Sequence, residues 1–286
     1  MAQIISDSST LYTPQSGAKK GIGIAPLNII VEGKSRKDLE ELSSTQLLQM
    51  IKEKKVPTSS QPAIGEKTLL YEEAAKKGPV LDITMAKGLS GTYDSARMAK
   101  NMLEENGDKV TVWNSRTLCG PQRALVDYAN RLAQKGEDTE QIIAALDKAA
   151  DTEISFLVPR DFSFLERGGR VNKLEAGAGK LLRLVPTMIK SKDGTHLENF
   201  SISRTFKKAL AGMIAEMRKR GVTSQYTFFV SHAFNEEDAL KAEEQLKAAF
   251  PGARIVLLPL SPAFITQGGP GCIAIQAIDL PDPDLK

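Results

Sequence analysis

Serine and threonine gather in short loops beside apolar runs, and the chemistry such loops suit is the capture of an anion. Asp7–Ser8–Ser9–Thr10 ends the apolar run at Ile4–Ile5. Gly88–Leu89–Ser90–Gly91–Thr92–Tyr93 follows Val80–Ile83, and Asn114–Ser115–Arg116–Thr117 follows Val110–Trp113. Pro57–Thr58–Ser59–Ser60–Gln61–Pro62 is a further hydroxyl loop ahead of a helical pattern. At a helix start the unpaired N–H groups and the helix dipole both favour negative charge. One serine there reads as an ordinary N-cap. Such loops concentrated in one half of the chain point to a shared anion site.

The cluster Arg167–Gly168–Gly169–Arg170 is the most distinctive local motif. It reads as two arginines flanking a flexible turn. The planar guanidinium fork suits carboxylate and phosphate, although a solvated surface turn has the same composition.

Other chemistries find less support. Gly88-x-x-Gly91 lacks the ending of a P-loop, and Gly21-x-Gly23 lacks the third glycine of a dinucleotide fingerprint. His196 and His232 are the only histidines, and neither has a neighbour at metal-ligand spacing, so no metal is expected. His232 leaves a Ser–His–Asp arrangement open, but no Gly-x-Ser-x-Gly elbow accompanies it.

The elements that must position these loops alternate between strand and helix. Short runs at Ile4–Ile5, Val80–Ile83 and Val110–Trp113 read as buried strands, with helices at Leu69–Ala74, Ser90–Leu103, Leu125–Leu132 and Ile142–Leu146. Ile22–Val31 reads as one extended stretch made irregular by Pro26. Ser43 and Ser44 suit the cap of a helix carrying Leu47, Leu48 and Ile51. The pattern predicts a mostly parallel sheet covered on both faces, with ligands beyond the carboxyl ends of its strands.

The second half changes rhythm. Thr187–Lys190 and Leu197–Ser201 flank Lys192–Asp193–Gly194, a hairpin signal. Helices are expected at Phe206–Arg220 and Glu236–Ala249, with strands at Ser155–Val158, Tyr226–Ser231, Ile255–Pro259 and Cys272–Ile278. The fold class is therefore α/β in two domains. The N-terminal one, 1–152, is a three-layer α/β/α with a mainly parallel sheet; the C-terminal one, 153–286, is two-layer with a mixed sheet.

Composition narrows the class further. With 286 residues the chain is long for one domain and comfortable for two. Its formal net charge of +3 is spread through the sequence. The densest basic run, Arg218–Lys219–Arg220, ends a helical pattern where cations suit the dipole, with no aromatic interleaved. Nucleic acid is not an expected partner. No segment approaches the ~20 apolar residues of a membrane span, and the first residues lack a signal-peptide pattern. The two cysteines, Cys119 and Cys272, are not in C-x-x-C spacing and fit reduced thiols in a cytoplasm.

Taken in order, Asp7–Ser8–Ser9, Ser59–Ser60–Gln61–Pro62, Gly88–Leu89–Ser90–Gly91–Thr92–Tyr93, Asn114–Ser115–Arg116, Gly168–Gly169–Arg170–Val171 and Gly269–Pro270–Gly271 resemble the motif series of the DegV family. Each motif is weak alone; their order and spacing over almost the whole chain are specific. The resemblance implies a long-chain fatty acid held in a tunnel between the domains. It also implies a separate ATP-dependent fatty acid kinase that receives the acyl carboxylate for phospholipid synthesis. On this reading the chain is not itself an enzyme and has no cofactor. With no membrane span, it would enclose its lipid or visit a bilayer surface transiently.

The resemblance makes Ser59 and Ser90 the carboxylate ligands, with Ser9, Gly91, Gln267 and Gly268 around them. It sets Arg170 near the head group and the kinase-facing opening, and Arg204 at a phosphate or kinase contact. Leu165, Leu182, Met188 and Phe264 are candidates for the tunnel lining, or for ordinary core. One departure stands out: the family's histidine before Gly-Pro-Gly is replaced by Gln267. Glutamine donates a hydrogen bond but carries neither proton nor charge. A lipid carrier or sensor without a kinase is therefore the alternative, and a small-molecule enzyme a more distant one. Asn114 stands where the family commonly has aspartate.

Overall fold

The computed structural model describes residues 1–171 and 184–282. Leu182, singled out from the sequence, lies outside them. In chain order the N-terminal half runs β1 (Gln3–Asp7), α1 (Pro14–Ala18), β2 (Ile22–Ala25), β3 (Asn28–Val31), β4 (Lys34–Lys37), α2 (Ser44–Lys52) and β5 (Thr58–Ser60). It continues through α3 (Ile64–Ala75), β6 (Val80–Thr84), α4 (Thr92–Asn101), β7 (Val110–Asn114), α5 (Cys119–Gln134) and α6 (Thr139–Ala150). The C-terminal half runs β8 (Ile154–Val158), α7 (Ser163–Gly168), β9 (Val185–Lys190), β10 (Leu197–Ser203), α8 (Phe206–Lys219), β11 (Thr227–His232), α9 (Glu236–Ala249), β12 (Arg254–Pro259), α10 (Pro262–Gly268) and β13 (Ile273–Ile278).

The first sheet is parallel, in the order β2-β1-β6-β7. Strand periodicity sends alternate side chains to opposite faces. Ile4, Leu81 and Ile83 meet Leu125, Val126, Ile142 and Leu146 of α5 and α6 on one face. Ile5, Val80 and Val110 meet Tyr71, Ala75 and Ala99 of α3 and α4 on the other. The second sheet is mixed, in the order β10-β9-β8-β13-β11-β12, with only β11 and β12 parallel. One of its faces is covered by α8 and α9. Phe229, Leu258 and Ile278 on the other face join the α5 cluster, so α5 is packed between the two sheets. A Cβ on Gly120 would fall 2.2 Å from the Phe229 ring, so only glycine lets the first turn of α5 lie so close to β11. The two-domain α/β architecture and its parallel and mixed sheets agree with the sequence.

The structure corrects some local expectations. Ile22–Val31 is two strands, because the chain leaves the parallel sheet at Pro26 and starts β3 in a separate three-stranded sheet, β4-β3-β5. The hydroxyl loop at 57–62 contains β5, which pairs antiparallel with β3. The segment around Gly168 is not a free turn: it ends α7, with Gly169 left-handed (φ 69°) at the cap.

The small sheet, α2 and α10 share an apolar cluster of Ile29, Val31, Leu47, Ala263 and Ile265. A buried carboxylate also fastens α10 to the segment after β1. Asp38 accepts the Ser8 hydroxyl at 2.7 Å and the Ala263 N–H of α10 at 3.0 Å. Burial pushes its carboxyl up to about 6, against the opposing pull of those hydrogen bonds. The folded pKa exceeds the unfolded 3.8, so this group favours folding fully below pH 3.8. That contribution is lost as pH climbs through about 6. The expected loss is about 3 kcal/mol for a shift of about two pH units. Thermal unfolding of the wild type and Asp38→Asn between pH 4 and 7 checks it. The stability difference should move in favour of the variant as pH rises, and a difference independent of pH would contradict the assignment.

Candidate functional site

A cavity opens where β8 and β13 of the second sheet face α10, β5 and the loop after β6. Its empty space, counted out to the mouth and including the solvent there, is about 930 Å³. Most of the wall is apolar: Leu27, Leu89, Leu118, Leu157, Leu260 and Phe264 are representative. Strand alternation explains the choice on β13. Ile273 and Ile275 turn to the α8–α9 core, whereas Ala274 and Gln276 turn to the cavity.

The sequence-derived residues converge unevenly. Ser9, Ser59, Ser90, Arg170, Gln267 and Gly268 all line this cavity. Gly91 does not; it precedes the first turn of α4, where an added Cβ would sit 3.2 Å from Gln61 Oε1. Arg204 is exposed between β10 and α8, away from the cavity. Leu165 and Phe264 line the cavity, while Met188 belongs to the core beside it.

The hydrogen bonds give the serines distinct capacities. Gln267 Nε2 donates to Ser59 Oγ at 2.9 Å. A hydroxyl that accepts keeps its own proton to donate. Ser90 Oγ accepts the Thr92 N–H at 3.3 Å and shares a 2.8 Å bond with Thr92 Oγ1. Ser9 differs: its hydroxyl contacts both the Asp7 carboxylate and the Gln122 amide oxygen, so its one proton is engaged within the wall. Gln267 reaches Ser59 because Gly168 leaves room; a Cβ there would fall 1.9 Å from Gln267 Oε1. Gln267 Oε1 is buried without a hydrogen-bond partner. Arg170 binds the Leu89 carbonyl at 3.0 Å and the Gly168 carbonyl, bracing the Ser90 loop against the end of α7. Its burial lowers the guanidinium pKa from its ordinary value.

Polar residues that sequence reasoning missed also line the wall: Ser155 on β8, Lys190 on β9 and Gln276 on β13. Their only sequence signal is a polar side chain at an inward register position of an apolar strand.

The histidines serve elsewhere. His232 Nδ1 accepts the Asn235 N–H at 3.2 Å, and burial lowers its pKa. His196 pairs with Thr195 and Glu198 near the surface. Neither lines the cavity. Cys119 and Cys272 are buried free thiols in the cavity wall, pushed up to about 11 and about 12 by burial. Among the described residues no cluster of His, Cys, Asp and Glu is arranged to hold a metal, and no helix is long and apolar enough to cross a membrane.

A family model described as "Uncharacterised protein, DegV family" matches residues 1–280. A DegV domain-containing protein of Listeria monocytogenes is 32% identical over 278 residues, covering 95% of this chain and 96% of the relative. The crystal structure of DegV, a fatty acid binding protein from Bacillus subtilis, superposes with a TM-score of 0.83 at 27% identity, covering 97% of this chain and 99% of that one. A fatty-acid-binding DegV family protein from Thermus thermophilus superposes with a TM-score of 0.86 at 25% identity, covering 98% and 99%.

Proposed function

The chain belongs to the DegV family, and on that footing we propose that it binds one long-chain fatty acid in the cavity between its domains. Ser59 and Ser90 hold the carboxylate, and the bound acid is presented to a separate ATP-dependent kinase for acyl-phosphate formation. The chain acts without a cofactor as a non-catalytic, cytoplasmic binding subunit. Residues 1–152 carry the hydroxyl loops and 153–286 complete the lipid site.

The observation that supports this reading is a largely apolar cavity whose wall includes the Ser59 and Ser90 hydroxyls, with Gln267 donating to Ser59. Burying ~15 methylenes at ~0.8 kcal/mol each contributes roughly 12 kcal/mol before ordering and association costs. The head group sets direction, since a desolvated carboxylate needs hydrogen bonds to offset its lost hydration. Ser90→Ala removes one charge-assisted bond of about 1.5–3 kcal/mol, so affinity should fall roughly ten- to a hundredfold. Arg170→Ala should leave more of the affinity and chiefly weaken acyl-phosphate formation with the kinase. Titration of delipidated protein with a fluorescent fatty acid measures the first effect, and hydroxamate trapping of acyl phosphate the second. Equal affinity in Ser90→Ala and wild type would sink the carboxylate assignment.

A specific feature favours a second reading, a carrier or sensor without a kinase. Gln267 occupies the place of the family's histidine and supplies no charge there. Kinase and ATP added to the loaded protein separate the two: acyl phosphate supports presentation, and its absence with a kinase active on another binding subunit supports the carrier.

A further inference from the structure

Away from Ser59 and Gln267, the cavity meets a polar floor that a plain acyl chain would not need. Gln276 on β13 sits opposite Ser155 on β8, and both line the cavity with Lys190 of β9. Gln276 is only 2% exposed. Its Nε2 donates to the Leu118 carbonyl at 3.2 Å and to Ser155 Oγ at 2.7 Å. A carbonyl can only accept, so that contact fixes which end of the amide is nitrogen. Gln276 Oε1 is therefore a buried acceptor, and it has no hydrogen-bond partner.

Lys190 supplies the complementary group. Its ammonium pairs with Glu153 at 2.9 Å and donates to the Ser191 carbonyl at 3.2 Å. An ammonium has three donors, so one remains for a ligand. Glu153 is otherwise occupied by Thr117 and Ser155. The floor thus holds one unpartnered buried acceptor on Gln276 and, on Lys190, one N–H beyond the two that are engaged. That pair matches a hydroxyl, which donates once and accepts; a keto or epoxide oxygen only accepts and would leave Gln276 unmatched.

Position along the chain follows from the register. Gly268, at the end of α10, is packed against Cys272; a Cβ on it would fall 2.7 Å from Cys272 Sγ. Gln276 lies four residues further along the strand direction, about 13 Å at the rise of an extended chain. The floor therefore faces the part of an acyl chain remote from its carboxylate.

We propose that this cavity selects long-chain fatty acids bearing a hydroxyl in the distal half of the chain, read by Gln276 Oε1 and Lys190. The inference rests on the fatty-acid reading given above and specifies its ligand class. The test is competition on delipidated protein, read by native mass spectrometry, among octadecanoate, 3-hydroxyoctadecanoate and 12-hydroxyoctadecanoate. The wild type should favour the 12-hydroxy acid over octadecanoate by about tenfold, the worth of one satisfied buried hydrogen bond. It should show no such preference for the 3-hydroxy acid. In Gln276→Leu the preference should invert, because a hydroxyl buried without its acceptor is penalised. The wild-type comparison needs no variant, so it decides even if Gln276→Leu folds poorly. Octadecanoate bound as tightly as the 12-hydroxy acid would overturn the inference and leave the fatty-acid reading standing. Failure of all the acids to bind would overturn both.

Discussion

Ala274→Trp is expected to reduce fatty acid affinity by at least about a hundredfold while leaving the fold intact. Ala274 sits in the middle of β13 and faces Leu157 across the strand pair, with its side chain turned to the cavity. An indole there occupies the space that the acyl chain needs. Adding bulk to a packed core normally costs about 1–3 kcal/mol, but here the volume enters empty space. The melting temperature should therefore hold or rise while binding disappears. The same substitution at Ala277, buried on the α8–α9 face of the same strand, should unfold the domain and serves as the control. Isothermal titration of both proteins, with thermal melts, reads the outcome. Retained affinity in a folded Ala274→Trp protein would mean that the ligand lies elsewhere.

The largest expected effect on stability lies under the first sheet. Lys67 of α3 and Asp82 of β6 are both fully buried and lie 2.7 Å apart. The contact is an ion pair rather than an aligned hydrogen bond, since Lys67 Nζ has no hydrogen-bond partner. Asp82 also accepts the Tyr71 hydroxyl. Removing one member of a buried pair strands the other charge, at a cost of about 3–5 kcal/mol. Lys67→Met should therefore destabilise the protein by that amount in denaturant unfolding. Adding Asp82→Asn should recover most of the loss, because the stranded charge is removed while an acceptor for Tyr71 remains. If the double variant is no better than the single one, the pair is not what sets the cost. The pair pins α3, which follows the Ser59 loop, to β6, which leads into the Ser90 loop.

Much of this arrangement was legible from the chain alone, for identifiable reasons. Val80–Thr84 is buried at every position, and such a run between helices reads as a central parallel strand. The β9–β10 hairpin announced itself through Lys192–Asp193–Gly194. Lys34–Lys37 did not read as a strand, because it is polar, largely exposed and at the edge of a sheet, so burial leaves no apolar pattern. Helices α7 and α10 are too short to establish a helical period.

The site divides the same way. Hydroxyls after strands mark an anion-binding edge locally, and the motif order gathers Ser59, Ser90, Arg170 and Gln267 into one proposal. The bond from Gln267 to Ser59 spans 208 residues of sequence, and no local pattern encodes it. Gln276 was unreadable for a different reason. A single glutamine in Ile273–Ile278 gives no sign of which face it takes until the pairing with β8 fixes the register.

The proposal that the cavity holds a lipid is tested most directly by denaturing wild-type and Ala274→Trp protein in organic solvent and identifying the released small molecules by mass spectrometry. The expected result is a stoichiometric long-chain fatty acid from the wild type and none from the variant. A polar metabolite in place of the lipid, or equal fatty acid from both proteins, would contradict the account.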